Sequence, residues 1–479
     1  MSYKIRTKNK VLNKDINVDI LVIGAGITGM MSAYYLDSDK SICVVDKNKL
    51  GKGVTLNTTA KINYFQQTIY TDIEKLTNKE MATNYFNLVR DGIDEFKKVI
   101  NKEKIDCDFE RVPSYVFASK DSDISKLDKE ITFLRKNGII VSERKLPLDI
   151  KSYKSYYVED TYIFNPLKFL QGIYNVLEKR GVNVYEDSKI VKIEKHNNYY
   201  LCYGTNFRIR AKVVVLGCHY PFYLSGLLLP LKSYIEKSYI IVSKVKKDKG
   251  FTAISVSKPM YSVRYYKDKN SIYQISLSNS HNTAIKQNDV DNFRKVQDRF
   301  NIKDKDIVCK YSNMDIMTTD NMPYIGCIDK NLYIGTGYNT WGMTNGIMAG
   351  RIIADMVLNK KNKYSEVFSP KRINSSNLIV GIMIISSSLK SFVGTKLNKN
   401  KSWYSKRVTF KNIFGKSVGI YIDENNNKHI VYNKCPHMGC SLIFNEVELT
   451  WDCPCHSSRF DLNGKCIKGP SNYDITYKD

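Results

Sequence analysis

Asp19-Ile-Leu-Val-Ile23 runs directly into Gly24-Ala-Gly26-Ile27-Thr28-Gly29, and Met30 to Leu36 follows without a break. Ser41-Ile-Cys-Val-Val45 then ends at Asp46-Lys47. The first five residues form the continuous apolar run of a buried parallel strand. The run from Met30 has helical character, and Ser41 to Val45 reads as a second strand. Strand, glycine turn, helix, strand and acid stand in the order a dinucleotide fold requires. Gly24 permits the tight turn, Gly26 lets the backbone approach a pyrophosphate, and Gly29 lets the helix pack on the strand. Ile27 and Thr28 open the helix, whose first N–H groups can meet the phosphates. Asp46 is placed to accept ribose hydroxyls.

This fingerprint does not separate FAD from NAD. The next stretch, Gly51-Lys-Gly-Val-Thr55-Leu-Asn57-Thr58-Thr59-Ala60-Lys61, resembles the loop after the second strand in the D-amino-acid oxidase-like FAD family. In that family, small and hydroxylated residues here contact the FAD diphosphate and ribityl chain. On the residues alone, the same stretch is a polar loop capping a helix that begins beyond Ala60.

Three more segments resemble that family. Gly181 to Ile193, with Val191, is similar to a strand whose backbone contacts the adenine. Arg210 to Cys218, with Gly217, is similar to the strand that returns to the dinucleotide site. Thr319-Asp320-Asn-Met-Pro323 and Leu332 to Met343, with Gly337, Gly342 and Met343, are similar to the segment near the flavin ring. A helix is expected there over Asn345 to Leu358. Its N-terminus can stabilise negative charge on the flavin.

Between these segments, Met81, Tyr85, Leu88, Val89, Phe96 and Ile100 recur at helical spacing over 79–103. Pro166 opens a second helix through Leu177. Residues 229–285 alternate apolar and polar residues, which predicts an antiparallel sheet. The resemblance makes that sheet the substrate domain, interleaved over roughly 80–165 and 225–315. Tyr234, Tyr239, Tyr261, Tyr265, Tyr266 and Tyr273 are either pocket lining or ordinary sheet residues. Arg264 either holds an acidic substrate or is a sheet arginine. His219 and His281 receive no catalytic role, and no catalytic residue is assigned.

One departure from the family bears on substrate. Amino-acid-oxidising relatives carry an arginine five residues before the signature aspartate. Here that aspartate is Asp320, and the arginine position holds Asp315. A carboxylate cannot grip a carboxylate, so an amine, another cation or a substrate with no carboxylate is favoured.

Near the C-terminus stand Cys435-Pro-His437-Met-Gly-Cys440 and Cys453-Pro-Cys455-His456. Four-ligand zinc is satisfied by count. The wider pattern, with Pro454, Ser458, Phe460 and Gly469-Pro470, resembles a Rieske 2Fe–2S domain. That resemblance implies Cys435 and Cys453 on one iron and His437 and His456 on the other. It also implies a Cys440–Cys455 disulfide joining the loops, as in the cytochrome-complex type. Ser458 stands where a hydroxyl can donate to a cluster sulfur. Phe460 replaces a tyrosine donor, and Ser457 replaces the usual glycine, so an intermediate potential is expected. Val418 to Ile422 and His429 to Tyr432 flank a turn, predicting a hairpin beneath the loops.

The 479 residues carry 74 basic and 48 acidic side chains, a formal charge of +26. The excess is lysine spread along the chain, which reads as background rather than as a nucleic-acid module. The eleven cysteines do not follow a secreted disulfide framework. The most apolar short run, Leu378 to Ile385, is far below transmembrane length. A cytoplasmic protein is expected.

Together these readings give an α/β chain. They divide it into a polar tail (1–17), an FAD-dependent oxidoreductase unit (18–372), a linker (373–400) and a small all-β Rieske domain (401–479). Leu378 to Phe392 is expected to be a packed helix or strand of the linker. The expected activity is oxidation of a small organic substrate at FAD, with electrons relayed singly through the cluster to or from a partner protein. An oxygen-using flavin oxidase with a structural cluster is a rival, as is a redox-sensing interaction protein.

Overall fold

The computed structural model describes residues 3–8, 10–36, 39–222, 232–268, 271–283, 285, 287–373 and 407–477. The expected linker element over Leu378 to Phe392 lies outside them.

Ile16–Ile23 is the centre of the first sheet. It pairs in parallel with Ile42–Val45 on one side and Arg208–Leu216 on the other. Ile20, Leu21 and Val22 are fully buried, as a strand covered on both faces must be. Asn183–Tyr185 extends one edge in parallel. Tyr200–Gly204 and Ile190–Lys195 extend the other, antiparallel. Leu332–Thr336 joins Arg208–Leu216 in parallel and carries Tyr324–Asp329 beside it.

The glycine turn works through close approach. Gly24 has φ +108°, and a Cβ there would lie 2.9 Å from the Gly217 backbone. A Cβ on Gly29 would sit 1.8 Å from the Gly24 carbonyl oxygen. Helix Ile27–Tyr35 can therefore start only on glycine here.

Helix Lys79–Glu103 is capped by Asn78, which accepts from Met81 N–H, and its Tyr85, Phe86, Val89, Ile93 and Phe96 face is buried. Asn165 caps helix Pro166–Lys179, with Pro166 in its first turn. Helix Gly342–Val357 packs on Ile27–Tyr35. It starts three residues before the expected Asn345. The glycine at 342 suggested a continuing turn, but Trp341 already serves as N-cap, its carbonyl accepting from Asn345 N–H at 3.3 Å.

The second sheet has eight strands. Their order is Ile307–Thr318, Ser233–Val245, Ser271–Asn282, Tyr261–Asp268, Thr252–Ser255, Ser114–Ala118, Lys154–Val158 and Ser142–Glu143. Every pair is antiparallel except Thr252–Ser255 with Ser114–Ala118.

Two expectations need correction. The N-terminal segment is not a loose tail. Leu12 is buried, its N–H donates to Ser188 Oγ at 2.9 Å, and Lys8 N–H donates to Tyr174 OH at 3.0 Å. Ile16 and Asn17 already belong to the first strand, because a few apolar residues suffice to dock a polar stretch. The loop ending at Ala60 caps no helix: Lys61–Ile62 is a strand, and the next helix starts at Ile69. Of the two readings left open for the six tyrosines, the structure favours ordinary sheet residues: none lines either cavity described below, and Tyr239 and Tyr265 lie in the sheet's apolar core.

Residues 408–432 form a three-stranded antiparallel sheet, including the expected hairpin of Lys416–Ile422 with Lys428–Tyr432. Ile443–Asn445, Thr450–Asp452, Arg459–Phe460 and Cys466–Lys468 form a second sheet around fully buried Trp451. No helix among the described residues is long and apolar enough to cross a membrane.

Candidate functional site

A long cavity of about 350 Å³ opens where the parallel strands meet the glycine turn. Gly24, Gly26, Ile27, Thr28, Asp46, Lys47, Thr55, Thr58, Gly217, Gly342 and Met343 line it. Gly29 and Gly337 stand outside the lining: Gly29 is spent on helix packing, and Gly337 shapes a turn at φ +73°. Thr59 faces a second, adjoining chamber, and Ala60 lines neither. Val191 sits at an irregularity in its strand pairing, and its carbonyl accepts from Asn472 of the C-terminal domain at 3.0 Å.

Helix Ile27–Tyr35 points its N-terminus into the long cavity, and Gly26 caps it without a side chain in the way. That is the geometry of a phosphate cradle. Asp46 accepts from Ala25 N–H at 2.7 Å and from Asn48 N–H at 2.8 Å. Burial pushes its carboxyl up, and those two amides oppose the shift. Each carboxylate oxygen keeps a further lone pair for a ribose hydroxyl.

The adjoining chamber, about 60 Å³, shares Asn57, Thr58, Asn313, Asp315, Thr340, Gly342 and Met343 with the long one. Its charged lining is Lys61, Glu236 and Asp315. Glu236 and Asp315 are direct cross-strand partners. Burial lifts the Asp315 carboxyl to about 6, the Lys468 charge opposes this, and Glu236 adds to it. Lys61 Nζ donates to Ser262 Oγ at 2.6 Å. Burial, aided by the Arg264 charge, pushes it down to about 7. Arg264 lines neither of these two cavities. Its guanidinium donates to the carbonyls of Thr59, Ala60 and Phe164, fastening the loop that ends at Lys61. His219 lines the long cavity with Nε2 bonded to the Met314 carbonyl at 2.8 Å. Burial holds its imidazole down at about 3, and so neutral.

The two C-terminal loops repeat one backbone design. Cys435 N–H donates to the Cys440 carbonyl at 2.8 Å, and Gly439 N–H to the Cys435 carbonyl at 2.8 Å. Likewise Cys453 N–H donates to the Ser458 carbonyl at 2.7 Å, and Ser457 N–H to the Cys453 carbonyl at 3.0 Å. Gly439 (φ +74°) and Ser457 (φ +60°) occupy equivalent left-handed positions. The Cys440–Cys455 disulfide ties the loops together.

Between the loops, the buried Cys435 and Cys453 thiols stand beside each other. Their closeness, with amides of its own loop, holds the Cys435 thiol low, and the Cys435 neighbour together with burial raises Cys453. The His437 and His456 rings lie 4.9 Å apart, nearly perpendicular. Both Nδ1 atoms are buried without a hydrogen-bond partner. Burial lowers both imidazoles, His456 to about 4, so both are neutral ligands at pH 7. Two thiols and two orphaned ring nitrogens turned inward suit a cluster with mixed sulfur and nitrogen ligands. The sulfurs of Cys440, Cys453 and Cys455 also lie within 4.8 Å of one another. Two of them are consumed by the disulfide, which leaves that trio unable to hold a metal. The Ser458 hydroxyl stands beside the Cys435 sulfur and helps hold that thiol low, and its oxygen accepts from Ser471 N–H at 3.1 Å.

The cluster loops pack against the second sheet through a buried polar seam. Arg459 pairs with Asp452 and Glu448 at 2.8 Å each and donates to Ser312 Oγ at 2.7 Å. Lys237 pairs with Asp289 at 2.7 Å and with Asp452 at 3.2 Å. Ser457 Oγ meets Thr283 Oγ1 at 3.4 Å. Sequence reading missed this seam and the placement of Glu236 and Lys61 in the chamber wall. Lysine inside a Thr-Thr-Ala-Lys run was the one available signal.

The chain matches the FAD dependent oxidoreductase family, DAO, over residues 19–356, and the Rieske [2Fe-2S] domain over residues 396–477. YhfW of Bacillus subtilis strain 168, described as a Rieske 2Fe-2S iron-sulfur protein, is 27% identical over 478 residues, covering 96% of this chain and 93% of that protein. Gamma-glutamylputrescine oxidoreductase of Escherichia coli K12 is 23% identical over 390 residues, covering 74% of this chain and 88% of that enzyme. Among solved structures, glycine oxidase from Geobacillus kaustophilus superposes with a TM-score of 0.63 at 14% identity, covering 75% of this chain and all of that one. The chain belongs to the DAO family of FAD-dependent oxidoreductases and carries a C-terminal Rieske domain, so it is an oxidoreductase that binds FAD and a 2Fe–2S cluster.

Proposed function

We propose that the protein oxidises a small organic amine beside the flavin and exchanges the electrons singly, through its cluster, with an external protein partner. The observation that carries the amine is the chamber in which Glu236 and Asp315 stand opposite each other with no arginine in its lining. Like charges in direct cross-strand register cost stability. A cation seated between them removes that cost and gains charge-assisted hydrogen bonds. The relative named gamma-glutamylputrescine oxidoreductase supports the same reading.

FAD when bound supplies the hydride acceptor, and the cluster supplies a one-electron carrier. The long cavity residues hold the dinucleotide, with the helix N-terminus at Gly26 toward its phosphates. Asp315 and Glu236 bind and orient the substrate cation. Lys61 Nζ, neutral for part of the time near pH 7, takes up the proton that a substrate ammonium sheds. Cys435, Cys453, His437 and His456 hold the cluster, and the Arg459–Ser312 contact fixes its domain against the sheet that floors the chamber.

The test is anaerobic mixing of the purified protein with amines, amino acids and reduced electron carriers. The proposal expects amines to bleach the flavin bands. Bleaching by α-amino acids alone would reject it.

A further inference from the structure

The FAD-binding half does not enclose its cavity by itself. Arg459, Ile467, Lys468, Gly469 and Asn472, all from the C-terminal domain, stand in the wall. Residues 466–472 lie along the cavity. At one end, Asn472 Nδ2 donates to the Val191 carbonyl, beside the lining residues Ser188, Lys189 and Ile190. At the other, Lys468 Nζ donates to Asn313 Oδ1 at 3.1 Å. Asn313 in turn donates from Nδ2 to Asp315 at 3.2 Å. Asn313 and Asp315 border both chambers, so Lys468 belongs to the end nearest the substrate.

Lys468 is the informative residue. Its hydrogen bond goes to a neutral amide, and among the described residues it forms no ion pair within 4 Å. Burial, reinforced by the Arg459 charge, pushes its ammonium down to about 8. It stands half-exposed in the cavity wall, and the Asp315, Glu448 and Asp452 charges oppose that shift.

We propose that the C-terminal domain is a lid on the FAD, tied across the cavity by Lys468 at one end and Asn472 at the other, so that FAD leaves only when the two domains part. This rests on the reading that the long cavity takes FAD. Linkage then makes the two events reciprocal: FAD strengthens domain docking, and docking strengthens FAD binding.

Two measurements test it. FAD release from the holoprotein into an excess of a capturing apoflavoprotein is followed by fluorescence, for the wild type, Lys468→Met and Lys468→Arg. Lys468→Met is expected to release FAD about tenfold faster, and Lys468→Arg to stay nearer the wild type, with the cluster's electron paramagnetic resonance signal unchanged in both. Separately, amide exchange of wild-type residues 466–472 is compared with and without FAD, and slowing on FAD binding is expected. An unchanged release rate in Lys468→Met, or exchange over 466–472 that ignores FAD, overturns the lid. The exchange arm decides the matter if the variant fails to fold. Purified protein devoid of FAD overturns the assignment of the cavity as well, a result distinct from either of those.

Discussion

Glu236 and Asp315 face each other across adjacent antiparallel strands, and both reach the chamber beside the flavin cavity. The sheet accepts a like-charged pair in the wall of that chamber, and on the proposed function the stability given up there serves recognition of a cation.

Asp315→Asn is therefore expected to raise KM for a cationic substrate about tenfold, the equivalent of about 1.4 kcal/mol. It also has a pH signature. Burial raises the folded-state carboxyl from 3.8 to about 6. A raised pKa means that the native state keeps its proton longer, so the contribution to stability is full below pH 3.8 and is lost as pH rises through 6. The variant should match the wild type at pH 4 and exceed it by about 1–3 kcal/mol at pH 8. Thermal melts at the two pH values measure this, and an equal difference at both would refute the burial argument.

Lys237 joins Asp289 of the substrate-side fold to Asp452 of the cluster domain, with all three side chains at or below 10% exposure. Lys237→Met leaves buried Asp289 without its ion-pair partner, while Asp452 keeps Arg459, and a loss of about 3 kcal/mol is expected. Urea unfolding should show it, with proteolysis appearing between the two domains. A shift below about 0.5 kcal/mol, the range of ordinary surface changes, would mean that the seam is hydrated and weak.

The Ser458 hydroxyl stands beside the Cys435 sulfur, placed to donate to it. Ser458→Ala removes a bond that favours the more negative, reduced cluster. The potential is expected to fall by about 60 mV, the one-electron equivalent of about 1.4 kcal/mol. A redox titration followed by electron paramagnetic resonance reads this directly, and an unchanged or higher potential would remove Ser458 from the account.

The Cys440–Cys455 bridge closes a loop with a sequence separation of 15. Replacing both cysteines with serine should destabilise the cluster domain by about 3 kcal/mol. Faster cluster loss on mild heating, followed by its visible absorption, is the readout. Cluster lifetime equal to the wild type would show that the loop amides alone hold the geometry.

What the sequence made legible was local. Gly24, Gly26, Gly29 and Asp46 lie on one strand–turn–helix–strand unit, so their spacing carries their geometry. Cys435 and His437, like Cys453 and His456, lie within single loops for the same reason. What it hid arises from distant pairings. Arg459 meets Ser312 across 147 residues, and Glu236 meets Asp315 only through strand register. Arg264 was ambiguous because its type allows both roles, and only its three carbonyl partners decide for loop fastening. Ser457 broke the glycine pattern, yet its backbone adopts the left-handed conformation of Gly439. The Thr283 contact shows how a hydroxyl fits there.

The central claim is that one chain couples amine oxidation at a flavin to a one-electron cluster. It is tested most directly by rapid anaerobic mixing of the holoprotein with an amine, following flavin absorbance and the cluster's electron paramagnetic resonance signal in the same sample. The account predicts flavin bleaching followed by appearance of the reduced-cluster signal, with the second phase lost in His437→Ala. Flavin bleaching with a cluster that stays oxidised, together with peroxide formation in air at the same rate in wild type and His437→Ala, would contradict it.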